Sequence, residues 1–200
     1  MTSESRYRRP MARKTIAVLL ATTATLLATA GTALACPGPP AHPAYASAEF
    51  ENYHAGAEAV TYDPKLVQVG SDATVYSLPT WDGKTTVILR VHGLLPNHMY
   101  GAHAHQKSCG ATGDVAGPHY QNKPDPVQPS VDPAYANAQN EIWLDFTTDE
   151  HGNARSSTTV NWQFTDRHAG AVVIHAEHTH TDPGHAGTAG ARLACITVGF

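Results

Sequence analysis

The chain has 200 residues, of which 42% are hydrophobic and 15% charged, and its formal net charge is -4 with histidine neutral. This length allows one ordinary domain or two small ones, and the composition excludes a disordered chain. The charge balance excludes a basic nucleic-acid surface as the main function. Histidine is the unusual residue, with 13 copies against 3 cysteines.

Residues 1–35 have the three parts of a secretory signal. An apolar stretch rich in alanine, threonine and leucine begins at Ile16, and the small residues Ala33-Leu34-Ala35 end it. No cationic flank follows the apolar stretch, which favours a cleaved signal over a membrane anchor. We therefore predict a signal peptide and an exported protein, with translation starting at Met1 or at Met11. The basic residues that precede the apolar stretch are Arg6, Arg8, Arg9, Arg13 and Lys14.

Removal of this segment changes the charge of the protein. Residues 1–35 contain five of the 13 Lys and Arg residues but only one of the 17 Asp and Glu residues. Residues 36–200 therefore hold eight cations and 16 acids, a formal charge of -8. An anionic substrate would have to be attracted by local cations rather than by the field of the whole molecule.

Cys36 directly follows the predicted cleavage site. A lipoprotein would be cut and acylated at this residue, whereas ordinary cleavage after Ala35 would leave its thiol unmodified, and both alternatives stay open. Either one leaves Cys109 and Cys195 as an even pair in an oxidising compartment. We predict a disulfide between them.

Residues 36–46 form a proline-rich segment, Cys-Pro-Gly-Pro-Pro-Ala-His-Pro-Ala-Tyr-Ala. Proline at this density prevents a helix or a central strand, so we predict a tether. The folded domain is expected to span residues 47–200.

Short apolar or β-branched runs separated by turn residues follow the tether. No long amphipathic helix and no internal repeat is present in the sequence. Eight short strands predict an all-β fold, an antiparallel Greek-key barrel or sandwich. Residues 101–139 have little strand character, and loops of that length are usually functional. The predicted strands are 59–62, 66–69, 73–78, 85–91, 141–147, 156–164, 171–175 and 192–198.

Histidines concentrate in that long loop and at the end of one strand. His103 and His105 alternate on an extended segment, so both imidazoles point to one face and can share an ion. His119 follows in the loop, and His175 ends an apolar run. Imidazole suits copper and zinc, and a square-planar all-nitrogen set favours Cu(II).

Three blocks of the sequence resemble the copper-zinc superoxide dismutase family. The resemblance covers the chain from about Ala59 to Phe200, and it implies copper-dependent disproportionation of superoxide on a Greek-key β-barrel with long metal-site loops. The blocks are Gly101-Ala-His-Ala-His105 followed by Cys109, Ala116-Gly-Pro-His119, and Gly187-Thr-Ala-Gly-Ala-Arg-Leu-Ala-Cys195 after Val172-Val-Ile-His175.

The same resemblance assigns roles to individual residues. His119 takes the place of the imidazole that bridges copper to zinc, and Arg192 that of the arginine that orients superoxide. Cys109 and Cys195 take the place of the disulfide of the family. The residues in the positions of the four copper ligands are His103, His105, His119 and His175.

The zinc side departs from the family pattern. The family has two further histidines and an aspartate after the bridging histidine, yet residues 120–140 contain no histidine. A closed zinc site needs four ligands, and Asp125, Asp132 or Glu141 would be an oxygen-rich substitute. We therefore predict copper as the cofactor, with zinc absent or weak.

Without zinc, another group must orient His119 through its second ring nitrogen. Glu141 is the first candidate, because it lies near the position of the zinc-binding aspartate. Asp145 is the second candidate, on the same face of the predicted strand. An ordinary solvent-facing acid is the alternative for both.

The segment after His175 is shorter than in the family and carries three extra histidines, His178, His180 and His185. Three interpretations stay open: a secondary copper or zinc site, a pH-dependent replacement for missing cations, and a solvent-exposed polar loop.

The expected function is that of a superoxide dismutase, with Arg192 and His119 as catalytic residues. The alternative is a copper-binding or scavenging protein of the cell envelope that has the same fold and little turnover. Superoxide is the expected partner, nucleic acid is excluded, and the sequence indicates no oligomeric state.

Overall fold

The computed structural model describes residues 41–200. The predicted signal peptide, Cys36 and the first part of the tether lie outside the described residues. Within the described part, no helix is long and apolar enough to cross a membrane.

Nine strands and one short 3-10 helix, Gly113–Ala116, make up the described chain. The strands are β1 Ala44–Glu49, β2 Ala59–Thr61, β3 Asp72–Pro79, β4 Thr85–His92, β5 Met99–His105, β6 Phe146–Thr147, β7 Ala154–Val160, β8 Ala171–His175 and β9 Arg192–Thr197. One sheet has the order β1-β3-β4-β7 and the other β2-β9-β8-β5-β6, with neighbouring strands antiparallel. The predicted all-β antiparallel fold is confirmed, and of its two forms it is the sandwich, because the sheets are not joined into a barrel.

The two sheets differ in how their faces are covered. In β4, buried Val87, Leu89 and Val91 alternate with more exposed residues, as expected for a sheet with one face in water. All five residues of β8 are buried, so that strand is covered on both faces. Its second face contacts Ala116 of the loop that follows β5. The five-stranded sheet is therefore the one that lies beneath the long loops.

Two predicted boundaries need correction. Residues 66–69 are not a strand, because the backbone N–H groups of Leu66 and Val67 donate to the carbonyl of Asp63 in a turn. β1 begins at Ala44, before the expected start near Ser47, and Ala44 pairs with Ser77 at the edge of the sheet. An edge strand can follow Pro43 directly, since the missing proline N–H is not needed there.

Two further segments differ from expectation. The segment predicted as a strand over 141–147 is mostly irregular and forms only β6, with isolated bridges from Glu141 to Gln121 and from Trp143 to His103. β5 runs into the region expected to lack strands, because β8 and β6 pair with it on its two sides.

Candidate metal centre

Strand pairing brings three of the four predicted ligands together. His103 and His105 lie on β5 and have no exposed surface. β8 pairs with β5 so that His175 lies opposite Gly101. A Cβ at Gly101 would collide with the carbonyl of Glu177 and would lie 2.7 Å from Cβ of Ala189. Glycine is therefore needed here because the loop after β8 crosses closely over β5.

The loop after β5 supplies the fourth ligand. His119 forms an isolated antiparallel bridge with His105, and Tyr120 N–H donates to the carbonyl of Ala104 at 2.8 Å. Gly117 has a φ of 74°, a conformation open to glycine, and its carbonyl lies 2.9 Å from Nδ1 of His105. The loop thus folds back along β5 and places His119 beside the strand histidines.

One ring nitrogen from each of the four histidines lies within 4.8 Å of the others. Nε2 of His105 lies 3.3 Å from Nε2 of His175, while their Nδ1 atoms face the carbonyls of Gly117 and Gly190. Nε2 of His103 is 2.6 Å from the Thr179 hydroxyl, and its Nδ1 is buried without a hydrogen-bond partner.

An unpaired buried polar atom costs about 1–3 kcal/mol. The unpartnered Nδ1 of His103 and the mutually facing nitrogens of His105 and His175 therefore fit a metal ion as their common partner. All four donors are nitrogens of imidazole, a ligand that suits copper and zinc. Within residues 41–200, this is the only group of three or more His, Cys, Asp or Glu side chains whose ligand atoms already lie close enough together to share one ion.

Burial sets the protonation state of these ligands. It lowers the pKa of His103 and His105 well below 6.5, and it lowers the pKa of His175 to about 3, with the nearby His119 as the second cause. The three imidazoles are therefore neutral near pH 7. Neutral imidazole is the form that binds a metal.

A buried carboxylate holds the second nitrogen of His119. Glu141 is only 1% exposed, and its Oε2 lies 2.7 Å from Nδ1 of His119. Trp143 Nε1–H donates to the same oxygen at 2.7 Å, and Gln121 Nε2–H donates to Oε1 at 2.7 Å. Glu141 thus faces three hydrogen-bonding groups, and Nε2 of His119 is left for the cluster.

Asp145 lies near His103 and not near His119, the histidine for which the sequence made it a candidate partner. Its carboxylate accepts hydrogen bonds from the backbone N–H and the hydroxyl of Thr179, both at 2.7 Å, and the hydroxyl contacts Nε2 of His103. The distance from Oδ1 of Asp145 to Nε2 of His103 is 3.8 Å. Asp145 therefore supports His103 through Thr179, and Glu141 is the acid that contacts His119.

Sequence reasoning missed three residues of these networks, Gln121, Trp143 and Thr179. Trp143 could have been found, because it alternates with Glu141 and Asp145 and therefore points to the same side of an extended segment. Gln121 and Thr179 lie in loops, and no motif marks them.

A cleft opens beside the cluster. It has a volume of about 230 Å³, and His119, His175 and Arg192 are among the residues that line it. Arg192 begins β9 opposite His175, and its Nη1–H donates to the carbonyl of Gly113 at 2.8 Å. Partial burial lowers the pKa of Arg192, yet an arginine stays charged at neutral pH.

Cys109 and Cys195 form a disulfide, as predicted. It links the loop after β5 to β9, and Cys109 N–H also donates to the hydroxyl of Thr197 at 3.1 Å. Because Gly113 lies in this loop and Arg192 in this strand, the bond ties together the two parts that position the guanidinium.

The extra histidines lie outside the four-nitrogen cluster. Nε2 of His178 faces the carbonyl of Phe146 at 3.1 Å. His180 and His185 are exposed in the loop that leads to β9.

Comparison with known sequences decides the family. Residues 71–198 match the sequence model described as copper/zinc superoxide dismutase (SODC). The chain belongs to the copper/zinc superoxide dismutase family. The matched range contains the four clustered histidines, Arg192 and both cysteines of the disulfide.

Solved structures with similarity to this member of the copper/zinc superoxide dismutase family include a double mutant and a single mutant of a SOD-like protein from Bacillus subtilis. They are 17% and 16% identical, cover 62% of this chain and 87% and 88% of their own, and have TM-scores of 0.49. The clock protein EA4 is 20% identical over 80% of this chain and 96% of its own, with a TM-score of 0.49. No curated protein sequence matches the chain.

Proposed function

We propose that this protein is an exported, copper-dependent superoxide dismutase. The observation that carries the proposal is the convergence of four imidazole nitrogens next to a cleft that Arg192 lines together with two of these histidines, His119 and His175. The family supplies superoxide as the substrate class. His103, His105, His119 and His175 would hold the copper. Bound copper would supply a one-electron redox couple that takes an electron from one superoxide and gives an electron to a second.

Arg192 would dock the substrate. Its guanidinium is anchored by the carbonyl of Gly113 and lines the same cleft as His119 and His175. A planar fork of permanently charged donors suits a small anion. Because the chain after the predicted signal is acidic, this local cation would provide the attraction that the whole molecule does not.

His119 would handle protons. Disproportionation of two superoxide ions consumes two protons and yields dioxygen and hydrogen peroxide. The side chain of His119 is 16% exposed and lines the cleft, while Glu141 holds its Nδ1. Nε2 of His119, when it is released from the metal, could therefore exchange a proton with the cleft while Glu141 keeps the orientation of the ring.

We further propose that the centre works without zinc. A carboxylate that accepts hydrogen bonds from an imidazole N–H can orient the ring as a second metal would. The hydrogen bonds to Glu141 from Gln121 and Trp143 support this role, because they fix the carboxylate in a buried position.

Export fits the disulfide, since such bonds persist in oxidising compartments. We propose cleavage of residues 1–35 and a domain that follows the proline-rich tether. Mass spectrometry of the mature N-terminus would distinguish lipid-modified Cys36 from unmodified Cys36.

The test is superoxide decay after pulse radiolysis on protein loaded with one equivalent of copper. Hydrogen bonds to charged groups contribute about 1.5–3 kcal/mol, so Arg192→Ala should lower the rate constant roughly 10- to 150-fold. The matched control is Arg155→Ala, an exposed arginine on β7, which should leave the rate unchanged.

A copper-binding protein with little turnover is the second candidate, favoured by the exposed histidines before β9. Normal copper binding with slow superoxide decay that does not depend on Arg192 would establish this alternative and reject the enzyme.

A further inference from the structure

His180 and His185 form a second pair of neighbouring imidazoles. Every other imidazole pair in residues 41–200 belongs to the buried cluster. The centroids of the His180 and His185 rings are 6.5 Å apart, the same separation as His103 and His105 within that cluster. Their spacing is thus one that two ligands of a single ion already show in this protein's own candidate centre.

A carboxylate lies beside the pair. Oε2 of Glu177 is 3.4 Å from Nε2 of His180. This is longer than the roughly 2.7–2.9 Å of a charge-assisted hydrogen bond. It is close to the ~3.4 Å that separates two ligand atoms held about 2.0–2.2 Å from one tetrahedral ion. Asp182 lies on the other side of the ring, with Oδ1 3.9 Å from Nδ1, and adds a second negative charge.

Backbone hydrogen bonds within the loop connect the segments that carry these side chains. His180 N–H donates to the carbonyl of Thr188 at 2.8 Å, and Gly187 N–H donates back to the carbonyl of His180 at 2.9 Å. Both the N–H and the hydroxyl of Thr188 donate to the carbonyl of His185. The backbone positions of the two histidines are therefore fixed, which lowers the ordering cost of binding an ion, and their exposed side chains would turn to bring one nitrogen of each ring to it.

We propose that Glu177, His180 and His185 form a second, surface site for a divalent transition-metal ion, Cu(II) before Zn(II). Two imidazoles and a carboxylate are ligands that both ions accept, and copper binds such sets more tightly. The loop continues into Thr188, which lines the cleft of the buried cluster, so the site would concentrate copper beside that cleft. This proposal does not depend on superoxide turnover.

The test compares copper stoichiometry by equilibrium dialysis of the mature chain. His180→Ala combined with His185→Ala should bind one copper fewer than the wild type. The matched control is His54→Ala. His54 and Glu51 are three residues apart in sequence, as are His180 and Glu177, and the His54 and Glu51 side chains are 2.9 Å apart. Within residues 41–200, no second imidazole pairs with His54. The control should bind as many coppers as the wild type.

Equal copper stoichiometry in the double variant and the wild type would overturn the site. So would an equal loss in the His54 control. If the double variant does not fold, Glu177→Gln replaces it. This variant should lower the affinity for the second, more weakly bound copper ion about tenfold. An unchanged affinity in that variant would reject the proposal. Superoxide decay at one copper equivalent is measured separately, so failure of the surface site is distinguishable from failure of the enzyme.

Discussion

Nδ1 of His119 lies 2.7 Å from Oε2 of Glu141, a carboxylate with almost no exposed surface. Glu141 also accepts hydrogen bonds from Trp143 and Gln121. Backbone pairing places His119 beside the strand histidines, and the hydrogen bond to Glu141 orients its ring. A change in this network should alter metal binding by the four histidines before it disrupts the pairing of the sheets.

Glu141→Gln tests this network. The amide keeps the shape of the side chain but replaces one acceptor by a donor, so a donor must face the N–H group of His119, Trp143 or Gln121. We expect copper affinity to fall about 10- to 100-fold, the usual cost of losing the partner of a metal-bound histidine. Competition with a chelator of known affinity measures it. Glu150→Gln, on an exposed acid, is the control, and an unchanged affinity at Glu141 would contradict the role.

Trp143→Phe removes one donor to Glu141 and keeps an aromatic ring. A hydrogen bond to a charged group contributes about 1.5–3 kcal/mol, so the free energy of unfolding should fall by about that amount. Urea denaturation of the metal-free protein measures the change. Trp81→Phe is the control, since Trp81 is 99% exposed and its loss should cost less than about 0.5 kcal/mol. Equal effects at both positions would show that the hydrogen bond contributes nothing.

Removing the disulfide tests the link between the loop and β9. Cys109 and Cys195 are separated by 86 residues in sequence, and closing a loop of that size stabilises a protein by about 4–5 kcal/mol. Replacing both by serine should lower the free energy of unfolding by that order. Cys36→Ser separates this effect from the loss of a thiol elsewhere. A loss below about 1 kcal/mol in the double variant would mean that the loop is held without the bond.

The buried phenol of Tyr100 leads us to expect that the folded protein loses stability at alkaline pH. Its hydroxyl donates to the carbonyl of Leu66 at 2.6 Å, and burial raises its pKa to about 12. The unfolded phenol ionises near pH 10, so stability is complete below pH 10 and is lost as the pH rises from 10 towards 12. At pH 11 the loss should be about 1.4 kcal/mol.

Tyr100→Phe should be less stable than the wild type at pH 8 by about 1 kcal/mol, because the hydrogen bond is gone. At pH 11 the wild type has lost about 1.4 kcal/mol and the variant has no such proton to lose, so the sign should reverse and the variant should be more stable by about 0.4 kcal/mol. Urea denaturation at both pH values measures this. Tyr53→Phe, at a half-exposed position, should show no such reversal. A difference that is independent of pH would refute the assignment.

The sequence predicted the clustered histidines better than the residues that contact them. His103, His105 and His175 lie on or at the end of strands, where alternation and apolar flanks are readable from the chain. Thr179 and Gln121 lie in loops whose paths depend on contacts far away in sequence. Glu141 was found through its position in the family pattern, although its segment is not the strand that was expected.

The errors in the fold have local causes. Residues 66–69 alternate like a strand, but the turn at Asp63 redirects the chain, and the side chain of Val67 joins the core without strand pairing. β5 contains glycine, alanine and histidine, which have no strong strand propensity. It is a strand because β8 and β6 pair with it, which no window of the sequence can show.

The uneven burial of the four clustered histidines has a consequence for the lifetime of a bound ion. His103 and His105 have no exposed surface, whereas His119 and His175 line the cleft. A chelator in the cleft would therefore reach two of the four clustered histidines and not the other two. Release would then wait for the loop around His119 to open, and copper would be retained kinetically, for longer than its equilibrium affinity alone implies.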